Sequence, residues 1–509
     1  MCVHFLFFHC CILITMNLPL NQTSSASFAD IRANIIGYDD MIDTPHGKRR
    51  IVFADWIASG RMYAPIEKKL AEDFGPMVAN THTETTATGT AMTLAYHEAQ
   101  RIIKAHVGAT SDDALLMVGS GMTAALAKLQ RILGLKVPEQ LTPYCHVPEA
   151  IRPVVFLTHM EHHSNQTSWL ETICTVEIIR PDEHGLVDMT HLDELLKKYD
   201  SRPIKIASVT SCSNVTGVFT PYYAIARRMH EVGGWCFVDF ACSAPYIAID
   251  MHPSDPLERL DAIFFSPHKF LGGPGSPGVL VFNKKLYTLH VPDQPGGGTV
   301  KWTNPWGEHS YIEDIEARED GGTPAFLQTI RAALAIRLKE SLSEEALHTR
   351  ENALVQRIFE VLSPIPNLHI LASENKDRLC VFSFYIDGLH YNLGVKLLND
   401  RFGIQTRGGC SCAGTYGHYL LSVTPQFSHA ITCKIDEGDL SEKPGWIRFS
   451  VHPAMTDEEA EYILSAIKDL AAHHEEWSKD YRYDAHSNEF QHVAWNSSLE
   501  TIVSEWFQF

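Results

Sequence analysis

A single amine at the end of an apolar run is where chemistry would concentrate in this chain. Lys269 follows the apolar stretch Leu260 to Phe265 through Ser266, Pro267 and His268, and a turn rich in glycine and proline (Gly272, Gly273, Pro274, Gly275) comes next. That pattern fixes a lysine on a rigid strand end and leaves backbone room beside it for a ligand. Thirty residues earlier, Trp235-Cys236-Phe237-Val238 is an apolar strand closed by the carboxylate of Asp239. An amine and a carboxylate at the ends of two buried strands suit pyridoxal phosphate: the lysine forms a Schiff base and the acid keeps the pyridine nitrogen protonated.

Three further stretches carry reactive types. Gly119-Ser120-Gly121-Met122-Thr123-Ala124 follows an apolar run and opens a helix. It is close to a dinucleotide fingerprint, so a nicotinamide oxidoreductase is one reading. That reading wants an acidic residue at the end of the next strand, and Glu139 lies in a loop. The other reading is a phosphate cradle made of helix-start amides and the Thr123 hydroxyl. His159, Glu161, His162 and His163 follow the strand Val154 to Leu157. Their spacing fits no helical zinc pattern, whereas an imidazole at a strand end in a ligand crevice can stack on a cofactor and move protons. Arg407-Gly408-Gly409-Cys410-Ser411-Cys412-Ala413-Gly414 offers two cysteines in a glycine-flanked loop, read as an inert loop, a metal half-site or a mobile nucleophile favoured by Arg407. Arg448 stands inside the apolar strand Trp446 to Ser450 and calls for a carboxylate partner, from the protein or from a substrate.

The elements that must position these groups alternate. Apolar runs at 114–118, 154–157, 176–179, 204–209, 235–238, 262–265 and 278–282 are expected strands, and helical stretches at 86–107, 189–198 and 221–232 lie between or before them. Such alternation predicts an α/β fold with a mostly parallel sheet, whose ligands gather at the carboxyl ends of the strands. Further on, a long helical region over 325–362 and strands at 368–371, 380–385 and 446–451 form a smaller set. The domain reading is residues 31–324 as a large unit with an N-terminal lead-in, 325–476 as a small C-terminal unit and 477–509 as a tail. No internal repeat is visible.

Composition bounds the setting. The 509 residues carry 42 basic and 61 acidic side chains, a formal net charge of −19, which disfavours nucleic acid and anionic membrane as partners. Twelve cysteines are scattered without a framework, several inside apolar runs, and point to a reducing, cytoplasmic compartment. Residues 3–16 are apolar but lack a preceding basic region, and Met16 opens a polar stretch. Residues 1–30 are therefore read as a disordered or mis-started terminus rather than an export signal.

Together the motifs resemble the class V aminotransferase family of pyridoxal-phosphate enzymes, and within it the cysteine desulfurases and selenocysteine lyases, over roughly residues 34–470. The resemblance implies the fold-type I transferase architecture, a large domain with a mostly parallel sheet of the seven-stranded type plus a smaller α+β domain. It also implies a homodimer with shared active sites, an amino-acid substrate and a sulfur-acceptor protein. By position, Lys269 matches the Schiff-base lysine and Asp239 the partner of the pyridine nitrogen. His162 matches the stacking ring, and Gly121, Met122, Thr123, Ser266 and His268 the phosphate site. Asn214 matches a residue near the cofactor hydroxyl and substrate, Arg448 with Arg407 the substrate-binding side, and Cys412 the thiol that accepts sulfur. Thr299 falls where a neighbouring subunit's loop reaches the phosphate. Three departures stand out. Cys242 replaces a glutamine expected at the ring oxygen, Cys410-Ser411 replaces a histidine pair, and the stretch 420–444 is longer than in compact relatives and is expected to add a hairpin. Transamination, elimination or epimerisation of another amino acid is the alternative activity, and a degenerate binding protein on the same fold is the non-enzymatic one.

Overall fold

Seven strands with short polar breaks and nearly unbroken apolar interiors build the central sheet of the computed structural model, which describes residues 27–81 and 85–508. Residues 1–26, on which the terminus reading chiefly falls, lie outside the described ones. The strands are β1 (Asp113–Val118), β2 (Val154–Thr158), β3 (Thr175–Ile179), β4 (Lys205–Thr210), β5 (Trp235–Asp239), β6 (Ala262–Phe265) and β7 (Gly278–Asn283). Their order is β1-β7-β6-β5-β4-β2-β3, with β7 antiparallel to both neighbours and the other pairings parallel.

Helices cover both faces, so successive residues of a strand enter different cores. Phe156 packs into one cluster while Val155 and Leu157 pack into the other, and Val238 and Phe237 divide the same way. This two-sided burial is why the strands read as continuous apolar runs. Each fully buried Leu, Ile, Val or Phe contributes about 1.5–3 kcal/mol. β1, β2, β4, β5 and β6 point the same way, so the segments leaving them meet at one edge of the sheet. These are Gly119–Thr123, His159–His163, Ser211–Asn214, Asp239–Cys242 and Ser266–Lys269.

A second, antiparallel sheet has the order β8-β9-β11-β10, from β8 (Leu368–Ile370), β9 (Val381–Ile386), β10 (Arg407–Gly409) and β11 (Trp446–Ser450). The helices Phe326–Glu340, Glu344–Leu362 and Asp457–Trp477 accompany it. Residues 52–57, placed by sequence at the start of the large unit, are stitched to this part of the chain. Val52 and Phe53 pair in parallel with Ile404 and Gln405, the Ser450 amide donates to Ala54 O, and the Ile57 amide donates to Ser450 Oγ. Such pairings join residues 352 to 396 positions apart, and no local pattern announces them.

Two expectations change. The stretch 420–444 contains a helix, Pro425–Asp436, and not a hairpin. Thr424 caps it by accepting from the Phe427 amide, and Pro425 takes the first helical position, where its missing N–H costs nothing. Residues 481–492, read as part of a tail, form the hairpin Tyr481–Asp484 with Glu489–His492, and its turn residue Asn488 has φ 58°. Asparagine adopts that left-handed conformation more readily than most side chains.

Candidate active site

A cavity of about 450 Å³ opens where the carboxyl edge of the large sheet meets β10 and β11. Gly121, Met122, Thr123, His162, Asn214, Asp239, Cys242, Ser266, His268, Lys269, Arg407, Cys412 and Arg448 all line it. Of these, Gly121 and Arg448, 327 positions apart in sequence, share one wall system.

Its floor has the groups of an anion cradle. Helix α1 (Gly121–Ile132) starts here, and Ser266 Oγ accepts from the Met122 amide at 2.9 Å. Gly121 has φ 64°, and a Cβ there would stand 2.9 Å from Ser266 Oγ and 3.1 Å from His268 Cε1. Only glycine combines that backbone with that approach. Thr123 Oγ1 lies 2.7 Å from Ser164 Oγ. Amides at a helix start, three hydroxyls and an imidazole suit a phosphate.

Above the cradle sit the titrating groups. Asp239 is 3% exposed, and burial raises it to about 6, opposed by the Ala241 amide (2.8 Å to Oδ1) and by the charge of Lys269. A cationic ring nitrogen facing it would restore the anion. Lys269 is pushed below the ordinary lysine range, chiefly by burial, while Cys242 and Asp239 pull it back. His162 falls to about 3, from burial first and then the charges of Lys269, His163 and Arg448. Its Nδ1 accepts from the Ser164 amide at 3.1 Å, so the neutral ring carries its proton on Nε2. The loop ahead of it hangs on Glu161, which accepts from the Thr158 hydroxyl (2.6 Å), the Thr210 amide (3.0 Å) and Asn165 Nδ2 (2.7 Å).

The opposite wall carries the arginines. Arg448 Nη2 meets Asp55 Oδ1 at 2.7 Å, and Arg448 Nη1 donates to Asn214 O at 3.0 Å. Arg407 Nε and Nη2 both reach Asp55 Oδ2 at 2.9 Å. One carboxylate thus joins two guanidinium groups. Arg448 Nε and Asn214 Oδ1 are buried without a hydrogen-bond partner among the described residues. A buried donor and a buried acceptor left open on facing residues call for a polar ligand. Cys242 Sγ lies 3.9 Å from Cys212 Sγ, where the resemblance expects a glutamine.

Cys412 is exposed at the mouth, in a loop far less free than its glycines suggest. Ser411 and Cys412 have φ of 51° and 57°, a left-handed pair costing roughly 1 kcal/mol or more per residue. Asn214 Nδ2 donates to Ser411 O at 2.7 Å, Trp446 Nε1 to Ser411 Oγ at 3.2 Å, and the His163 amide to Cys412 O at 2.7 Å. Thr299 does not line the cavity. Its hydroxyl serves its own loop, donating to Gly296 O at 2.7 Å.

Sequence reasoning passed over Asp55, Tyr391, Asn392, Lys443 and Asn488. The last four complete the outer wall. Asn488 Nδ2 donates to the Tyr391 hydroxyl at 2.8 Å, and its Oδ1 accepts from Tyr483 OH at 2.9 Å. The only local signal for Asp55 is an acid just after a short strand, beside an apolar Trp56-Ile57.

With this geometry in place, comparison with known proteins is decisive at the level of family. The sequence profile described as aminotransferase class-V matches residues 52–463. The chain belongs to that family. A cysteine desulfurase of Haloferax volcanii is 31% identical over 264 residues, 51% of this chain and 59% of that protein's length. A probable cysteine desulfurase of Halobacterium salinarum is 25% identical over 374 residues, 72% of this chain and 83% of the relative. Among solved structures, the apo cysteine desulfurase of Thermococcus onnurineus NA1 superposes with a TM-score of 0.69 at 22% identity, covering 87% of this chain and 98% of the other. A cysteine desulfurase of Escherichia coli gives 0.67 at 20%, covering 88% and 98%. At that identity the two structures show the fold, that of class V aminotransferases. Pyridoxal phosphate fits the residues of this family member: a cradle that excludes a Cβ, a lysine and a carboxylate in each other's field, and open polar atoms beside them.

Proposed function

We propose that the protein is a pyridoxal-phosphate-dependent cysteine desulfurase, converting L-cysteine to L-alanine and leaving the sulfur on Cys412. The observation that carries the reading is one cavity with a lysine and a carboxylate at its base, a buried arginine on its wall and a tethered thiol at its mouth. The desulfurase names of the relatives agree with it.

Helix α1, with Ser266, His268 and Thr123, would hold the phosphate, Lys269 the aldehyde carbon and Asp239 the ring nitrogen. Bound there, pyridoxal phosphate supplies an electron sink for the substrate Cα. Lys269, whose pKa burial lowers, takes and returns protons at Cα and Cβ. The neutral His162 ring would pack against the bound cofactor and could hand a proton to a neighbouring heteroatom. Arg448, fixed by Asp55 and by Asn214 O, offers its remaining N–H groups to the substrate carboxylate, and Arg407 adds charge at the same wall. Cys412, as thiolate, attacks the substrate sulfur. A sulfur–sulfur bond forms, the carbon–sulfur bond breaks, and its electron pair stays with the carbon fragment, which is protonated to alanine. The persulfide then passes its outer sulfur to an acceptor thiol.

The same reading includes a homodimer, in which Thr299 reaches the phosphate of the second copy, a sulfur-acceptor protein, and a reducing cytoplasmic setting. Among the described residues no helix is long and apolar enough to cross a membrane. Incubation of cofactor-loaded protein with cysteine should release alanine and, with a reductant, sulfide in equal amounts. Cys412→Ser should keep the cofactor and lose sulfide. Full sulfide release by that variant would move the activity to a lyase that does not use the thiol.

A further inference from the structure

His163, next to the stacking ring, has no part in the steps above, yet it makes two hydrogen bonds to the turn that leads out of the reactive thiol's residue. Its backbone N–H donates to Cys412 O at 2.7 Å, and its ring Nε2 accepts from the Gly414 N–H at 2.9 Å. One turn further along helix α2 (His163–Leu170), the Gln166 side chain exchanges hydrogen bonds with the Thr415 hydroxyl at 2.7 and 2.9 Å. The start of one helix thereby grips residues 412 to 415, which lead into helix α3 (Gly414–Leu420). The approach is close: a Cβ on Gly414 would stand 3.2 Å from His163 Nε2. Just ahead of these bonds stands the left-handed pair Ser411 and Cys412, with Ser411 held by Asn214 Nδ2 and Trp446 Nε1, and strained residues persist only where their surroundings fix them.

We propose that His163 is a positioning residue for sulfur transfer: it clasps the turn through Cys412 O and the Gly414 amide and holds the thiol over the cavity, acting after substrate has bound. The inference rests on the desulfurase reading. Accepting from Gly414 requires a neutral ring. Burial, followed by the charge of Lys443 on the facing segment, lowers the pKa of His163, and His162 on the same turn is neutral as well. The free amide of Gly414 at the first position of α3 then has a fixed partner. Without it, the turn is free to relax out of its strained backbone and carry the thiol away from the substrate sulfur. A residue that acts only after binding moves kcat and leaves KM in place.

The test uses the cofactor-loaded enzyme and two variants. His163→Phe keeps a planar ring without an acceptor, and His163→Gln puts an amide oxygen near the place of Nε2. Readouts are the visible absorption of the bound cofactor and its change on adding cysteine, the steady-state kcat and KM, and the rate of persulfide formation on Cys412 by mass spectrometry in a single turnover. His163→Phe should keep both spectra and KM, while kcat and persulfide formation fall by about tenfold or more, the weight of one misplaced reacting atom. His163→Gln should recover most of the loss. Wild-type persulfide rates in His163→Phe, or no recovery in His163→Gln, overturn the inference and leave the desulfurase reading standing. No persulfide on Cys412 in the wild type would sink the reading itself, and the inference with it. If His163→Phe loses the cofactor, Gly414→Pro decides. It removes the donor at a helix position that tolerates proline, and unchanged kcat there refutes the clasp.

Discussion

Replacing Asp55 by asparagine puts the arginine arrangement to a quantitative trial. Asp55 is 7% exposed and Arg448 3% exposed, and the single carboxylate faces two guanidinium groups through contacts of 2.7 and 2.9 Å. The substitution preserves shape and one acceptor oxygen, but removes the negative charge and turns an N–H toward one of the arginines. Breaking a buried ion pair by removing one partner costs roughly 3–5 kcal/mol, and the retained oxygen places this case near 3 kcal/mol. For 509 residues, an unfolding entropy of about 2 cal/mol/K per residue corresponds to roughly 1 kcal/mol per degree, so the melting temperature should drop by about 3 °C. A carboxylate ligand replaces part of the missing charge. Saturating L-alanine should therefore raise the melting temperature of the variant more than that of the wild type. On the proposed role of Arg448, binding the substrate carboxylate in ground and transition states alike, KM for cysteine should change more than kcat. The assay is a thermal melt of the cofactor-loaded protein with and without alanine, followed by steady-state kinetics. A variant that melts with the wild type and gains nothing extra from alanine would refute the shared-carboxylate argument.

Other outcomes follow from the same geometry. Gly121→Ala forces a Cβ against Ser266 and His268 in a left-handed backbone whose steric cost alone is about 1 kcal/mol, so cofactor affinity should fall by tenfold or more in a titration followed by absorbance. Burial raises Asp239 to about 6. Between about pH 4 and 6 the folded protein thus holds a proton that the unfolded chain has lost, and this group's contribution falls as pH rises. The full penalty, about 3 kcal/mol, is present above pH 6. Cofactor-free Asp239→Asn should then unfold at higher denaturant than the wild type at pH 7.5, with the gap closing near pH 4, although it binds cofactor poorly. Equal stability at both pH values would show that the buried carboxyl carries no penalty. Asn488→Ala removes partners of Tyr391 and Tyr483, each hydrogen bond worth about 1 kcal/mol, and should loosen the outer wall, read as faster proteolysis of the 481–492 hairpin.

Sequence made the large sheet legible because its strands are buried on both faces, and runs such as Val154 to Leu157 and Ala262 to Phe265 have no polar interruption to confuse them. The residues at their carboxyl ends followed from the same logic, and the cavity gathers Lys269, Asp239, His162, Asn214 and the α1 cradle. The helix Pro425–Asp436 was hidden because Ile431 is its sole buried residue, so it shows almost no apolar period. The 481–492 hairpin was hidden because its few apolar side chains are spread among charged ones and its turn rests on one left-handed asparagine. Asp55 was invisible for another reason: its meaning lies in Arg407 and Arg448, more than 350 residues away, and long-range ion pairs leave no local signature. Composition showed the glycines of the Cys412 loop but not its long-range hydrogen bonds, to the His163 amide at the start of α2 and to Asn214 beyond β4.

The central claim is a covalent attachment at one lysine. Borohydride reduction of the cofactor-loaded protein, followed by proteolysis and peptide mass mapping, reads it directly. The account predicts the phosphopyridoxyl mass on the peptide containing Lys269 and its loss in Lys269→Ala. The label on a different lysine, or an unlabelled Lys269 in protein that turns over cysteine, would contradict it.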